Sequence, residues 1–225
     1  MRSEALREVT RRVRSHANED LARASKADKD SKLQFFGVTV PTIRREAKSG
    51  FAFQTGNLRH DLRHWNEVWS LSHVFEVMCV SLAALDLRRK SLSLSDWTAL
   101  ESWVPRVENW AHADWLASLI SHVAANHPND ILPSLRQWSG SECTWRARVG
   151  LVAHIHYTGK NAVYLPLRTV LNAVEASVAN RSLPVHRARC WVLREMHRMY
   201  PSEVAMYVQG RLSQYTAGER RRIIT

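Results

Sequence analysis

Asn109-Trp-Ala-His-Ala-Asp-Trp-Leu-Ala-Ser-Leu-Ile-Ser-His-Val123 is the stretch on which the reading of the fold turns. Its apolar positions Ala113, Leu116, Leu119, Ile120 and Val123 recur every three or four residues, the stripe of a helix that turns one face to a core. Trp110, Asp114, Ala117 and Ser121 fall on a different face. An indole, a carboxylate one turn later and then two small side chains predict an open surface that a bulky partner can approach. The same residues suit a plainer arrangement, in which Trp110 packs between helices while Asp114 caps its helix or pairs with an arginine.

Outward from this stretch the same residue types return. Thr144 to Val149 carries Arg148 in line with Trp145, Leu151, Val152 and Ile155. A guanidinium on an apolar line is costly unless paired, so Arg148 either reaches the rim to hold a phosphate or forms a structural ion pair. Arg146 is read as general basic surface. The helix expected over Val185 to Tyr200 divides into a core stripe of Val185, Ala188, Val192, Met196 and Met199 and a second face of Arg187, Trp191, Arg194, Glu195 and Arg198. An indole ringed by guanidinium groups suits a nucleic-acid surface, where cations hold phosphates and the ring packs on sugar or base. It equally suits a tryptophan stacked beneath its own arginines.

The spacing of these residues is itself informative. Trp110 and Arg148 are 38 positions apart, and Arg148 and Trp191 are 43 apart, close to the ~40–47 residues of HEAT and armadillo repeats. Equivalent positions in stacked repeats would line one concave wall. Elsewhere Pro41, Pro105, Pro128, Pro184 and Pro201 punctuate the chain as helix starts do. Leu71, Val74, Met78, Leu82 and Leu85 keep helical spacing, and an extended passage from Phe36 to Val40 precedes Pro41. The expectation is roughly ten to twelve short helices in an all-α, HEAT-like (armadillo-type) helical-repeat solenoid with a concave basic groove, one domain over residues 1–225.

Charge narrows the partner. Thirty-two Lys and Arg against 21 Asp and Glu leave a formal +11 and a sequence pI near 10.2. Such a field draws polyanions, and cations spread along a mixed-charge chain favour nucleic acid over a membrane surface. No apolar run is long enough to span a bilayer, and the N-terminus lacks the continuous apolar stretch of a secretory signal. Cys79, Cys143 and Cys190 are scattered without CxxC spacing, which fits a reducing cytoplasm. His60 with His64, and His154 with His156, come with no HExxH or Cys/His arrangement, so no metal is expected. The absence of a GxGxxG or P-loop motif leaves no cofactor expected either.

Four segments together resemble the AlkD-like family of DNA alkylation repair glycosylases, which are built from HEAT-like repeats. Phe36-Gly37-Val38-Thr39-Val40-Pro41-Thr42-Ile43-Arg44-Arg45 is similar to the family's N-terminal segment, and Trp110-Ala111-His112-Ala113-Asp114 to its Trp-x-x-x-Asp element. Trp145-Arg146-Ala147-Arg148 resembles its arginine segment, and Trp191-Val192-Leu193-Arg194-Glu195 its late Trp-x-Leu-Arg-Glu stretch. The resemblance implies excision of cationic alkylpurines such as 3-methyladenine and 7-methylguanine from duplex DNA by a nucleoid-associated monomer. It implies Asp114 as the catalytic carboxylate, with Trp110 and Trp191 against the deoxyribose. Arg148 would line the cleft and contact phosphate, and Arg44, Arg45, Arg187, Arg194 and Arg198 add basic DNA-facing surface. The chain departs from the pattern at three places. Lys26 to Lys32 contains no aromatic residue, Ala111 stands where the family has an acid, and Arg189 stands where it has an apolar residue. The alternative is a non-catalytic module of the same fold that binds damaged, bent or branched DNA.

Overall fold

The computed structural model describes residues 3–156 and 161–225, and all its regular elements are helices. Thirteen α-helices follow in order: α1 (Glu4–Arg14), α2 (Glu19–Lys29), α3 (Val40–Ser49), α4 (Leu58–Leu71), α5 (Phe75–Leu87), α6 (Trp97–Trp103), α7 (Trp110–Asn126), α8 (Pro128–Ser139), α9 (Thr144–Val152), α10 (Leu167–Ala176), α11 (Leu183–His197), α12 (Pro201–Gln209) and α13 (Ala217–Ile223). Pro41, Pro128, Pro184 and Pro201 occupy first-turn positions, where a missing N–H costs nothing, and Pro105 sits in a 3-10 turn. The helices gather into two compact units, Met1–His112 and Ala113–Thr225.

In the first unit α5 is the central helix. Every residue from Phe75 to Leu85 is buried, with α1, α3 and α4 packed on it, as an all-round apolar helix requires. Glu76 is the charged exception, only 1% exposed. Its carboxylate accepts the backbone N–H groups of Phe36, Gly37 and Val38, so it anchors the extended passage foreseen before Pro41. Gly37 has φ of 75°, and a Cβ there would meet the Asn18 carbonyl oxygen at 2.0 Å. Only glycine fits.

The run from Leu71 to Leu85 is not one helix. α4 stops at Leu71 and α5 starts at Phe75, because the Ser72 hydroxyl accepts the Val74 N–H and offers the backbone an alternative to continuing.

In the second unit α9 packs on α8 and α11, α10 on α8, and α12 and α13 on α11. Contacts between alternate helices are those of stacked hairpins. At the α8–α9 crossing Gly150 is required, since a Cβ would stand 2.6 Å from the Ser139 nitrogen. Met199, expected in the α11 core stripe, is 60% exposed. α11 ends at His197, so Met199 lies past the helix and off its periodicity.

Candidate functional site

Asp114 of α7 and Arg148 of α9 form a buried, two-pronged ion pair, 4% and 8% exposed. Arg148 Nε donates to Asp114 Oδ1 and Nη2 to Oδ2, each at 2.8 Å. Its remaining Nη1 donates to the Pro184 carbonyl in the first turn of α11 at 2.6 Å. The sequence left Arg148 between a phosphate contact and an ion pair, and the geometry is that of the ion pair. Fork-to-fork pairing fixes the carboxylate plane as well as its charge. Burial pushes the Asp114 carboxyl above its ordinary range, opposed by the Arg148 hydrogen bonds and charge.

Trp110 retains 37% exposure. The rest of its expected face does not stay open. Ala117 and Ser121 are fully buried, and Ser121 donates to the Ser118 carbonyl and meets His156 Nδ1 at 3.1 Å. Their small size serves close packing, not access. Trp110 is held from α2: its Nε1 donates to the Asp28 carbonyl at 3.5 Å, and Lys29 Nζ stands 5.3 Å from the indole centroid and 5.4 Å from the Phe75 ring. Asp28 Oδ2 in turn holds that ammonium at 3.0 Å.

On α11, Trp191 is half-buried and donates Nε1–H to Glu195 Oε1 at 3.1 Å. Glu195 is buried and also accepts from Arg198 Nη1 at 2.5 Å, with Arg194 Nε 4.0 Å away. The carboxylate, four residues after the indole, orients the ring and thins the cationic ring around it. Arg187, Arg194 and Arg198 are exposed, as are Arg44 and Arg45 on α3, with Arg44 at 3.9 Å from Asp86.

The sequence profile of the DNA alkylation repair enzyme family matches residues 9–222. The chain belongs to this family. Its membership carries a DNA repair role with DNA as partner. Among solved structures, a predicted DNA alkylation repair enzyme from Enterococcus faecalis is similar at 17% identity with a TM-score of 0.66, covering 93% of this chain and 95% of that one. At that identity the likeness speaks for the helical-repeat fold alone. No curated protein sequence matches.

Two departures from the family pattern find a physical account. In the segment without an aromatic residue, Lys29 caps Trp110. Arg189 is buried and donates to the carbonyls of Ser177 and Asn180, which closes the end of α10, and to His186 Nδ1 at 3.2 Å. Ala111 makes no contact that accounts for the loss of an acid.

Among the described residues one group has metal-ligating side chains gathered together: His186, Cys190 and Glu219, within 4.8 Å of one another. Because arginine can only donate, His186 Nδ1 accepts from Arg189, and Nε2 therefore carries the proton it gives to Glu219 Oε1 at 2.8 Å. That tautomer presents no Nε2 lone pair to a cation. Burial also lifts the Cys190 thiol to about 11. The group is a hydrogen-bond relay tying α13 to α11.

Proposed function

We propose that this chain is a DNA glycosylase that hydrolyses the N-glycosidic bond of cationic N3- or N7-alkylated purines in duplex DNA, acting as a monomer without metal or cofactor. The observation that carries the reading is the Asp114 carboxylate, oriented by two hydrogen bonds from Arg148, four residues after the exposed Trp110. An alkylated purine leaves as a neutral base, so no acid is needed to protonate it. The remaining demand is an anion near the sugar, where positive charge develops as the bond breaks. Each Asp114 oxygen receives one hydrogen bond from Arg148 and keeps a second lone pair, sufficient to orient an attacking water. An indole face favours such a developing cation, the role that the resemblance gives to Trp110 and Trp191. Arg148 acts through Asp114 as a positioning residue, and the phosphate contacts fall to exposed arginines such as Arg44, Arg45, Arg187, Arg194 and Arg198.

Asp114→Asn tests this. Release of 3-methyladenine and 7-methylguanine from methylated duplex should fall on the order of 10²-fold or more, while affinity for the duplex stays close to wild type. Wild-type protein that binds DNA and releases no alkylated base would sink the enzyme reading. It would leave the second one, a damage-binding module, which the burial of Asp114 in its ion pair with Arg148 favours.

A further inference from the structure

Outside the residues discussed so far, the first unit carries a basic cleft of about 770 Å³. Its wall is α1. Ala5, Val9 and Val13 bury one face of that helix, and Arg7, Arg11 and Arg14 stand exposed on the opposite one, spaced four and three residues apart. The far side is formed by Gln34 and by the turn between α4 and α5, where His73 is exposed. Carboxylates are available to α1 elsewhere, since Arg12 pairs with Glu46 at 2.6 Å. Among the described residues no carboxylate is within ion-pair distance of Arg7, Arg11 or Arg14, and Glu8, the acid next to Arg7 in sequence, instead accepts the Ala52 N–H. Arg14 rests on the Phe36 ring at 5.0 Å, which holds its stem without neutralising it.

We propose that this cleft is a second DNA-backbone site, in which Arg7, Arg11 and Arg14 follow the phosphates of one strand. A single phosphate is gripped by convergent donors. Here three guanidinium groups form a line of roughly 10 Å along the helix axis, the length of about three nucleotides at 3.4 Å per strand. An open cleft with cations in a row suits an extended polyanion, and the flexible stems let each head find its own oxygen. The site supplies affinity and register, and contributes nothing to the chemistry. It rests on the reading that the chain works on duplex DNA, and it is independent of whether a base is released.

The test is the salt dependence of binding to an unmodified duplex by the full chain. Each arginine that neutralises a phosphate adds about 0.9 to the slope of log K against log salt. The Arg7→Gln/Arg11→Gln/Arg14→Gln variant should therefore lose about 2 to 3 from that slope, whereas Arg59→Gln/Arg63→Gln, two exposed arginines of α4 outside the cleft, should lose less than about 0.5. All the substituted side chains are exposed, and circular dichroism of each variant should show its helices kept. At saturating methylated duplex the triple variant should release base at the wild-type rate. A triple variant with the wild-type slope overturns the proposal, as does a control pair that loses as much per arginine. If the slope changes as expected while even the wild type releases no base, the cleft stands and the glycosylase reading falls.

Discussion

Asp114 and Arg148 each make the other tolerable. Either one alone would be a buried, uncompensated charge, and removing one partner of such a pair costs about 3–5 kcal/mol. Burial raises the Asp114 pKa and Arg148 holds it down, so the arginine sets the pH at which the carboxylate ionises. Arg148→Met removes the opposing influence and leaves burial acting alone. The acid limb of the single-turnover base-release rate should then move to higher pH, with slower release at neutral pH that recovers as the pH is raised. Arg148→Lys should restore part of the shift. A limb that stays in place in both variants, in protein that remains folded, would show that Arg148 has no hold on the reacting carboxylate. The sequence could set out the alternatives for Arg148 and not choose between them. The two residues are 34 positions apart, and nothing in a spacing measures the 2.8 Å that joins them.

At the scale of the element, the Phe36-Gly37-Val38 passage shows how a motif can serve a helix it does not belong to. Three backbone N–H groups with no helical partner converge on Glu76, a buried carboxylate at the start of α5. Glu76→Gln offers one acceptor oxygen and turns an amide toward donors. Loss of a hydrogen bond to a charged group in this setting costs on the order of 2–3 kcal/mol. The variant should unfold at lower urea, with the first protection lost in amides 34–40 by hydrogen exchange. An unchanged midpoint would mean that the passage is held by packing alone. Helix starts marked by proline were legible, because proline acts locally. The break between α4 and α5 was not, since Ser72 ends a helix only through where its hydroxyl points. The face of Ala117 and Ser121 misled for a related reason: small side chains look the same in sequence whether they admit a ligand or a neighbouring helix.

For the whole molecule, composition and repeat spacing carried the helical fold and the polyanionic partner, while the two compact units are read from the structure. Each unit does share one device. His112 in the first and His154 in the second are buried and neutral, held down by desolvation to about 3 and about 4. Asn109 donates to His112 Nδ1, so Nε2–H is given to the Phe75 carbonyl, and His154 Nδ1 donates to the Gly150 carbonyl at 2.7 Å. A histidine whose pKa is depressed by folding contributes stability that is present above its unfolded value, near 6.5, and is lost as the pH falls toward the folded value. Below that upper bound the unfolded chain takes a proton that the folded unit refuses, at up to about 1.4 kcal/mol per pH unit for each histidine. Asp114, raised by folding, works in the opposite direction. The urea midpoint should accordingly fall between pH 7 and pH 5 for both units. His154→Gln, whose amide can still donate to Gly150, should flatten that dependence in the second unit while leaving the first unchanged. Equal midpoints at the two pH values, or an unaltered dependence in the variant, would show that these histidines accept protons without unfolding.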